Sequence, residues 1–271
     1  MQYNLIILDN NILMYEDMVY QFKNTLDSKS ISNIIISYNE AKSKNFLVNN
    51  HQFQCVFFGT KYKNFDIPIH SILTDFDNDT LFEKHFSQEL IENNKIACYS
   101  KITVNKIKCL YPESKVGLFH FGYSKYLDFF QNSNKDIDIC FLGGFEDRRK
   151  NIIQTLSKNY TCIHTYGIFG KERQKLYNRC KIILSIASSD YMKNFTNSSR
   201  IFPAVSNGCF VIAEKCTDEE QNKILSNICI NTEYDNIVSL VKYYLTFEEV
   251  REKKRQEFYN HVKTISSDII F

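Results

Sequence analysis

Short apolar runs of strand length recur along the whole chain, separated by polar stretches with helical periodicity, and few folds accommodate that pattern. The runs lie at Asn4–Leu8, Asn33–Ser37, Gln54–Phe58, Ile69–Thr74, Ile96–Tyr99 and Val116–His120, then at Ile137–Leu142, Thr161–Thr165, Ile182–Ile186, Cys209–Ala213 and Asn227–Ile230. Amphipathic segments lie between them, for example Asp79–Asn93, Asp147–Lys158, Lys171–Cys180 and Ser198–Ser206, and Phe247–Asn260 has good helix formers without Gly or Pro. Continuously apolar strands are buried on both faces, and in alternation with helices they indicate parallel sheets covered on both sides. Right-handed crossovers make such sheets doubly wound. So many strands in one open sheet would be unusual. The expected fold is therefore α/β, with two doubly wound Rossmann-like domains facing a cleft at their carboxyl-end crevices. The polar stretch Gly122–Asp136 is the best boundary, giving domains 1–126 and 127–271.

Composition narrows the function. At 271 residues, 44% hydrophobic and 24% charged, the chain has a globular profile, and a net charge of +2 sets up no field that would draw nucleic acid. The basic cluster Arg251–Arg255 reads as a solvated helix face. Nine cysteines stand singly, several inside apolar runs, which fits buried reduced thiols. Met1–Asn10 lacks the pattern of a signal peptide, and no run has the length of a membrane span, so a cytoplasmic location is expected.

Chemistry concentrates in the second half. In Asp136–Asn151 a buried strand runs into Gly143-Gly144, then Glu146-Asp147, then Arg148-Arg149-Lys150 at the start of a helix. Glycines permit close backbone approach, a helix N-terminus supplies free N–H groups, and cations there can neutralise a diphosphate. Taken alone the segment reads equally as a plain strand-to-helix turn with solvent-facing cations, since it has no G-x-G-x-x-G or P-loop pattern.

Two further segments join it: Tyr166-Gly-Ile-Phe-Gly-Lys-Glu-Arg-Gln-Lys-Leu leading into the Ile182 strand, and Asn197-Ser-Ser-Arg-Ile-Phe-Pro-Ala-Val-Ser-Asn-Gly-Cys-Phe-Val-Ile-Ala-Glu. From Asp136 to Lys215 the order of these motifs resembles the C-terminal half of GT-B glycosyltransferases of the spore-maturation type. Ser71–Asn78, Tyr99–Lys108 and Phe121–Tyr126 extend the likeness more weakly upstream. The resemblance implies a nucleotide-sugar donor site in the second half. Gly143, Gly144, Arg148, Arg149 and Lys150 would face the diphosphate, Tyr166 and Gly167 would lie beside the base, and Ser198, Ser199 and Arg200 would open an anion-binding helix. It also implies an acceptor (glycan, protein or small molecule) bound by the first half, with no cofactor beyond the donor. Two positions depart from the family. Pro203 stands where a ribose-binding Glu is usual, and Ser185 replaces an Asn. Either the ribose is held otherwise, or donor affinity is weak, or activity is lost.

An inverting enzyme needs a base at a strand end. The candidates are Asp75 and Asp77 after the strand ending at Thr74, then His120 and Asp9; retaining chemistry needs none. The remaining histidines, His51, His70, His85, His164 and His261, show no ligand spacing, so no metal is expected. Glycosyl transfer to an acceptor hydroxyl is the leading reading. Its rivals are a catalytically degenerate nucleotide- or glycan-binding protein and another two-Rossmann enzyme such as a sugar-nucleotide epimerase.

Overall fold

The computed structural model describes residues 5–8, 15–44, 55–59, 69–73, 95–98, 100–129, 135–190 and 198–270. They divide into two units, Met1–Gly122 with Ser266–Phe271, and Tyr123–Ile265.

The first unit contains β1 (Leu5–Leu8), α1 (Glu16–Ser28), β2 (Ile34–Ser37), α2 (Tyr38–Ser43), β3 (Cys55–Gly59), β4 (Ile69–Leu73), β5 (Lys95–Cys98), α3 (Lys101–Leu110) and β6 (Val116–His120). β1 lies between β2 and β3, with Leu5 opposite both Ile34 and Cys55, and β4, β5 and β6 follow in parallel. α1 forms because Met18, Val19, Phe22 and Leu26 recur at helical spacing, behind Glu16 and Asp17 in the first turn, where acids suit the helix dipole. It buries Phe22 against Phe58 at 5.8 Å between ring centroids, and Phe58 meets Phe119 edge-on at 6.0 Å. On α3, Val104 and Ile107 cover Ile96, Cys98 and Val116.

The second unit holds β7 (Ile137–Leu142), α4 (Asp147–Ser157), β8 (Cys162–Thr165), α5 (Gly170–Arg179), β9 (Cys180–Ser185), α6 (Ser198–Ser206), β10 (Val211–Glu214), α7 (Glu219–Ser226), β11 (Ile230–Thr232), α8 (Ile237–Thr246) and α9 (Glu248–Val262). Its parallel sheet runs β11-β10-β9-β7-β8. The chain builds β8 on one side of β7, then crosses over to build β9 on the other. The β7/β9 junction is therefore the switch point, and its carboxyl edge is where open α/β sheets bind ligands. In the first sheet the same junction falls between β1 and β3, but the loops that follow those strands lie outside the described residues.

Every strand expected from the sequence is present, with ends moved by up to a few residues. The largest shift puts β11 at Ile230–Thr232, because α7 and its C-cap Asn227 take the residues before it. The closing segment departs from expectation. Instead of staying with the second unit, the chain forms β12 (Asp268–Ile270), which pairs antiparallel with β6 and ends the first sheet on that side. The division itself falls at Gly122–Tyr123 rather than after residue 126. There the Tyr123 amide donates to the Ile265 carbonyl at 2.8 Å, so the outgoing and returning segments run side by side. An unpaired β6 edge is a liability that a short partner strand removes.

The basic cluster is not a solvated face either. Arg251, Arg255, Phe258 and Val262 form the buried side of α9. Arg251 donates to the Tyr244 carbonyl at 3.0 Å, near the end of α8, and Arg255 to the Gly208 carbonyl at 3.2 Å, just past α6. Two helix ends thereby receive the cations that their dipoles favour.

Candidate functional site at the carboxyl edge of the second sheet

The loop Gly143–Glu146 leaves β7 at the switch point. Gly143 donates its amide to the Thr165 carbonyl at 2.9 Å, keeping the loop against β8. A side chain at 143 would meet the Phe141 ring at 2.8 Å and Arg200 Nη1 at 3.5 Å, so the backbone passes where only glycine fits. At Gly144 the space beside the backbone is taken only by the Glu146 carboxylate, the end of a flexible side chain that can move aside.

The three cations expected to face a diphosphate have other partners. α4 buries Arg149, Ile152, Ile153 and Leu156, a helical stripe that carries Arg149 inward with the apolar residues. Arg149 Nε donates to the Ile186 carbonyl at 3.0 Å and Nη1 to Glu146 at 2.5 Å. Arg148 pairs through both terminal nitrogens with Glu214 at the end of β10, and lies 3.9 Å over the Tyr234 ring. Glu214 also accepts the Ala187 amide at 3.0 Å. Together these contacts tie the loops after β7 and β9 to the end of β10. Lys150 points to solvent and pairs with Asp147 at 3.3 Å. Acids at Glu146 and Asp147 make the first turn of α4 a poor anion site in any case.

Arg200 is placed differently. It enters from the first turn of α6, has its guanidinium 5.9 Å from the Phe141 ring centroid, and reaches the Gly143 turn. Burial, and next the like charge of Arg200, holds the Arg149 guanidinium below its ordinary value, with Glu146 opposing. Burial would raise the Glu146 carboxyl, but its backbone hydrogen bond, Arg149 and Arg200 hold it below the usual range. The first turn of α6 carries no acidic residue. Ser198, which opens the helix, is 1% exposed, and its hydroxyl has no hydrogen-bond partner among the described residues. The same is true of Ser185, the last residue of β9. Ser199 follows Ser198 in that first turn and is partly exposed. Pro203 is buried within α6 without breaking it, and the Asn207 amide still reaches the Pro203 carbonyl at 3.1 Å.

Beyond the glycines stands a residue that spacing rules could not single out. His164 on β8 places Nε2 at 3.2 Å from both the Gly143 and Gly144 carbonyls, so that nitrogen must carry the proton and share it. Its ring stacks on Phe145 at 3.9 Å and meets Phe141 edge-on at 5.1 Å. Tyr166, just past β8, is exposed, and Gly167 sits at φ +77°, where a side chain would be strained. A period-2 reading of β8 offers no hint of His164, since all four of its residues are half-buried. Glu214 did leave a signal: a carboxylate directly continuing an apolar strand needs a buried partner.

Of the proposed bases, Asp75, Asp77 and Asp9 lie outside the described residues. His120 ends β6 opposite Asp268 of β12, and burial lowers its pKa despite that carboxylate. Among the described residues, no three metal-ligating side chains converge, and no helix is long and apolar enough to cross a membrane.

Comparison with known proteins agrees with this architecture. Residues 145–265 match a family described as glycosyl transferase-like, ending where the second unit ends. An uncharacterized protein of Acanthamoeba polyphaga mimivirus, R358, is 28% identical over 191 residues, covering 62% of this chain and 68% of the relative. WaaG, a glycosyltransferase involved in lipopolysaccharide biosynthesis, superposes with a TM-score of 0.59 at 10% identity, over 96% of this chain and 95% of WaaG. HepE of Anabaena, solved in complex with UDP and glucose, gives 0.56 at 9% identity, over 97% and 95%. A glycosyltransferase from Rickettsia africae gives 0.52 at 9% identity, over 97% and 93%. The chain thus shares the GT-B fold of these structures along nearly its whole length, and within the second unit it is similar to the glycosyl transferase-like family over residues 145–265.

Proposed function

We propose that the protein transfers a sugar from a nucleotide-sugar donor to an acceptor hydroxyl, with the donor diphosphate held beside Gly143 by Arg200 and the first turn of α6. The observation that carries this reading is the approach of Arg200 to a glycine turn at the β7/β9 switch point. Charge developing on a leaving diphosphate is stabilised by fixed cations and helix amides, and no metal is invoked. Buried hydroxyls with no partner among the described residues, as at Ser185 and Ser198, mark places where a ligand can complete the hydrogen bonding, at a cost of about 1–3 kcal/mol each where nothing does. The complex of HepE with UDP and glucose supports this donor class. Arg148 and Arg149 act by holding the loops in place, and Lys150 has no part in binding.

Calorimetric titration with UDP, ADP and GDP and their sugar conjugates tests the reading. Binding that Arg200→Ala weakens about tenfold or more, and Lys150→Ala leaves unchanged, is the expected result. Absence of binding by all of them refutes it.

Pro203 favours a second reading, a donor-binding protein without turnover, because no carboxylate stands at that position to fix the ribose. Binding without release of nucleoside diphosphate, across acceptors of several classes, separates the second reading from the first. In the first unit, Asp75, Asp77 and His120 are proposed bases, to be ranked by the activity left after each is changed to Asn or Gln.

A further inference from the structure

Phe145, next to the Gly143–Gly144 turn, is 53% exposed. One of its faces lies on His164 at 3.9 Å with 26° between the planes. His164 is in turn fixed by the two glycine carbonyls and by Phe141, so the stack is anchored in the core and does not depend on solvent-side contacts. A ring with one face packed and much of its surface in water is a platform for another planar group.

Its position narrows what that group is. β8 lies on one side of β7 and β9 on the other, so His164 approaches the Gly143–Gly144 turn from the β8 side. Arg200 approaches the same turn along α6, which follows β9. A molecule lying across the turn therefore finds an aromatic face at one end and a guanidinium at the other. That combination suits a planar heterocycle joined to a phosphate. A sugar without a base lacks the planar ring, and a dicarboxylate has nothing to place on Phe145.

Resting on the function proposed above, the geometry points to Phe145 as the residue that stacks the nucleobase of the donor, with His164 as the positioning residue behind it. Stacking on an aromatic face tolerates any base, because every base has a π-face. The platform therefore supplies affinity for the nucleoside, and the choice among bases lies elsewhere.

The experiment compares UDP, ADP and GDP with inorganic pyrophosphate as titrants, for the parent protein, Phe145→Ala, Phe145→Leu and Phe145→Tyr. We expect Phe145→Ala and Phe145→Leu to weaken the nucleoside diphosphates about tenfold, to leave pyrophosphate unchanged, and Phe145→Tyr to restore nucleotide affinity. His164→Gln, which retains a donor for the carbonyls but no ring, should weaken nucleotides in the same selective way. If the parent binds nucleoside diphosphates and Phe145→Ala binds them equally well, the platform is overturned while the function stands. If Phe145→Ala weakens pyrophosphate as much as nucleotide, the ring acts through the loop and the assignment fails. If the parent binds no nucleoside diphosphate, both fall together.

Discussion

At the scale of single residues, the cations of the second unit sort by what surrounds them and not by their order in the sequence. Arg148 and Glu214 are 14% and 1% exposed at the side chain, so removing one partner strands the other in a poorly solvated place. Glu214→Ala is expected to lower unfolding stability by about 3 kcal/mol, read from urea denaturation. A loss below about 1 kcal/mol would show that the pair does not hold the loops. His120 illustrates the same dependence on surroundings through pH. Its folded pKa lies below the ordinary 6.5, first through burial and against the pull of Asp268. The unfolded chain then takes up the proton more readily, so acidification from about 6.5 downward favours unfolding, and stability returns as pH rises back through that window. Melting temperatures at pH 7.5 and 5.5 should fall further for the parent than for His120→Gln. Equal falls would remove His120 from the account.

Among the elements, α6 carries the most information about the site. Pro203 sits in its interior, where it cannot donate to the carbonyl four residues back. Pro203→Ala is therefore expected to stabilise the protein, by an amount on the order of 1 kcal/mol, seen as a higher melting temperature. A clear fall would mean that the buried ring's packing outweighs the missing hydrogen bond. The helices also show how much could be read beforehand. Strand positions, the helix positions among the described residues and the glycine turn were legible because apolar periodicity and glycine chemistry are local; the expected helix Asp79–Asn93 lies outside the described residues. Whether a cation on a helix faces water is not local in that way, yet a trace of it was present. Arg149 shares its spacing with Ile152, Ile153 and Leu156, and Arg255 shares its own with Phe258 and Val262, so both follow the apolar stripe inward. Reading the charges as a run hid that spacing. The donation from His164 to the glycine carbonyls had no such trace, because it joins residues brought together only by the β7–β8 pairing.

For the whole molecule, the consequential feature is the return of the chain to the first sheet. β12 pairs with β6, and Ser267 hydrogen-bonds Thr25 of α1 at 3.0 Å, so a few residues close one edge and touch a helix of the same unit. Deleting residues 266–271 should lower the melting temperature and expose the first unit to limited proteolysis before the second. Simultaneous cleavage of both units would contradict the division. The same return bears on synthesis. The second unit has all its strands once residue 232 has left the ribosome and its last helix by residue 262, whereas the first unit keeps an unfinished edge until residue 270 emerges. During translation the earlier-made half therefore keeps its β6 edge unpaired until the later-made half is complete, and that edge is the surface that a chaperone, or a neighbouring nascent chain, meets in the interval.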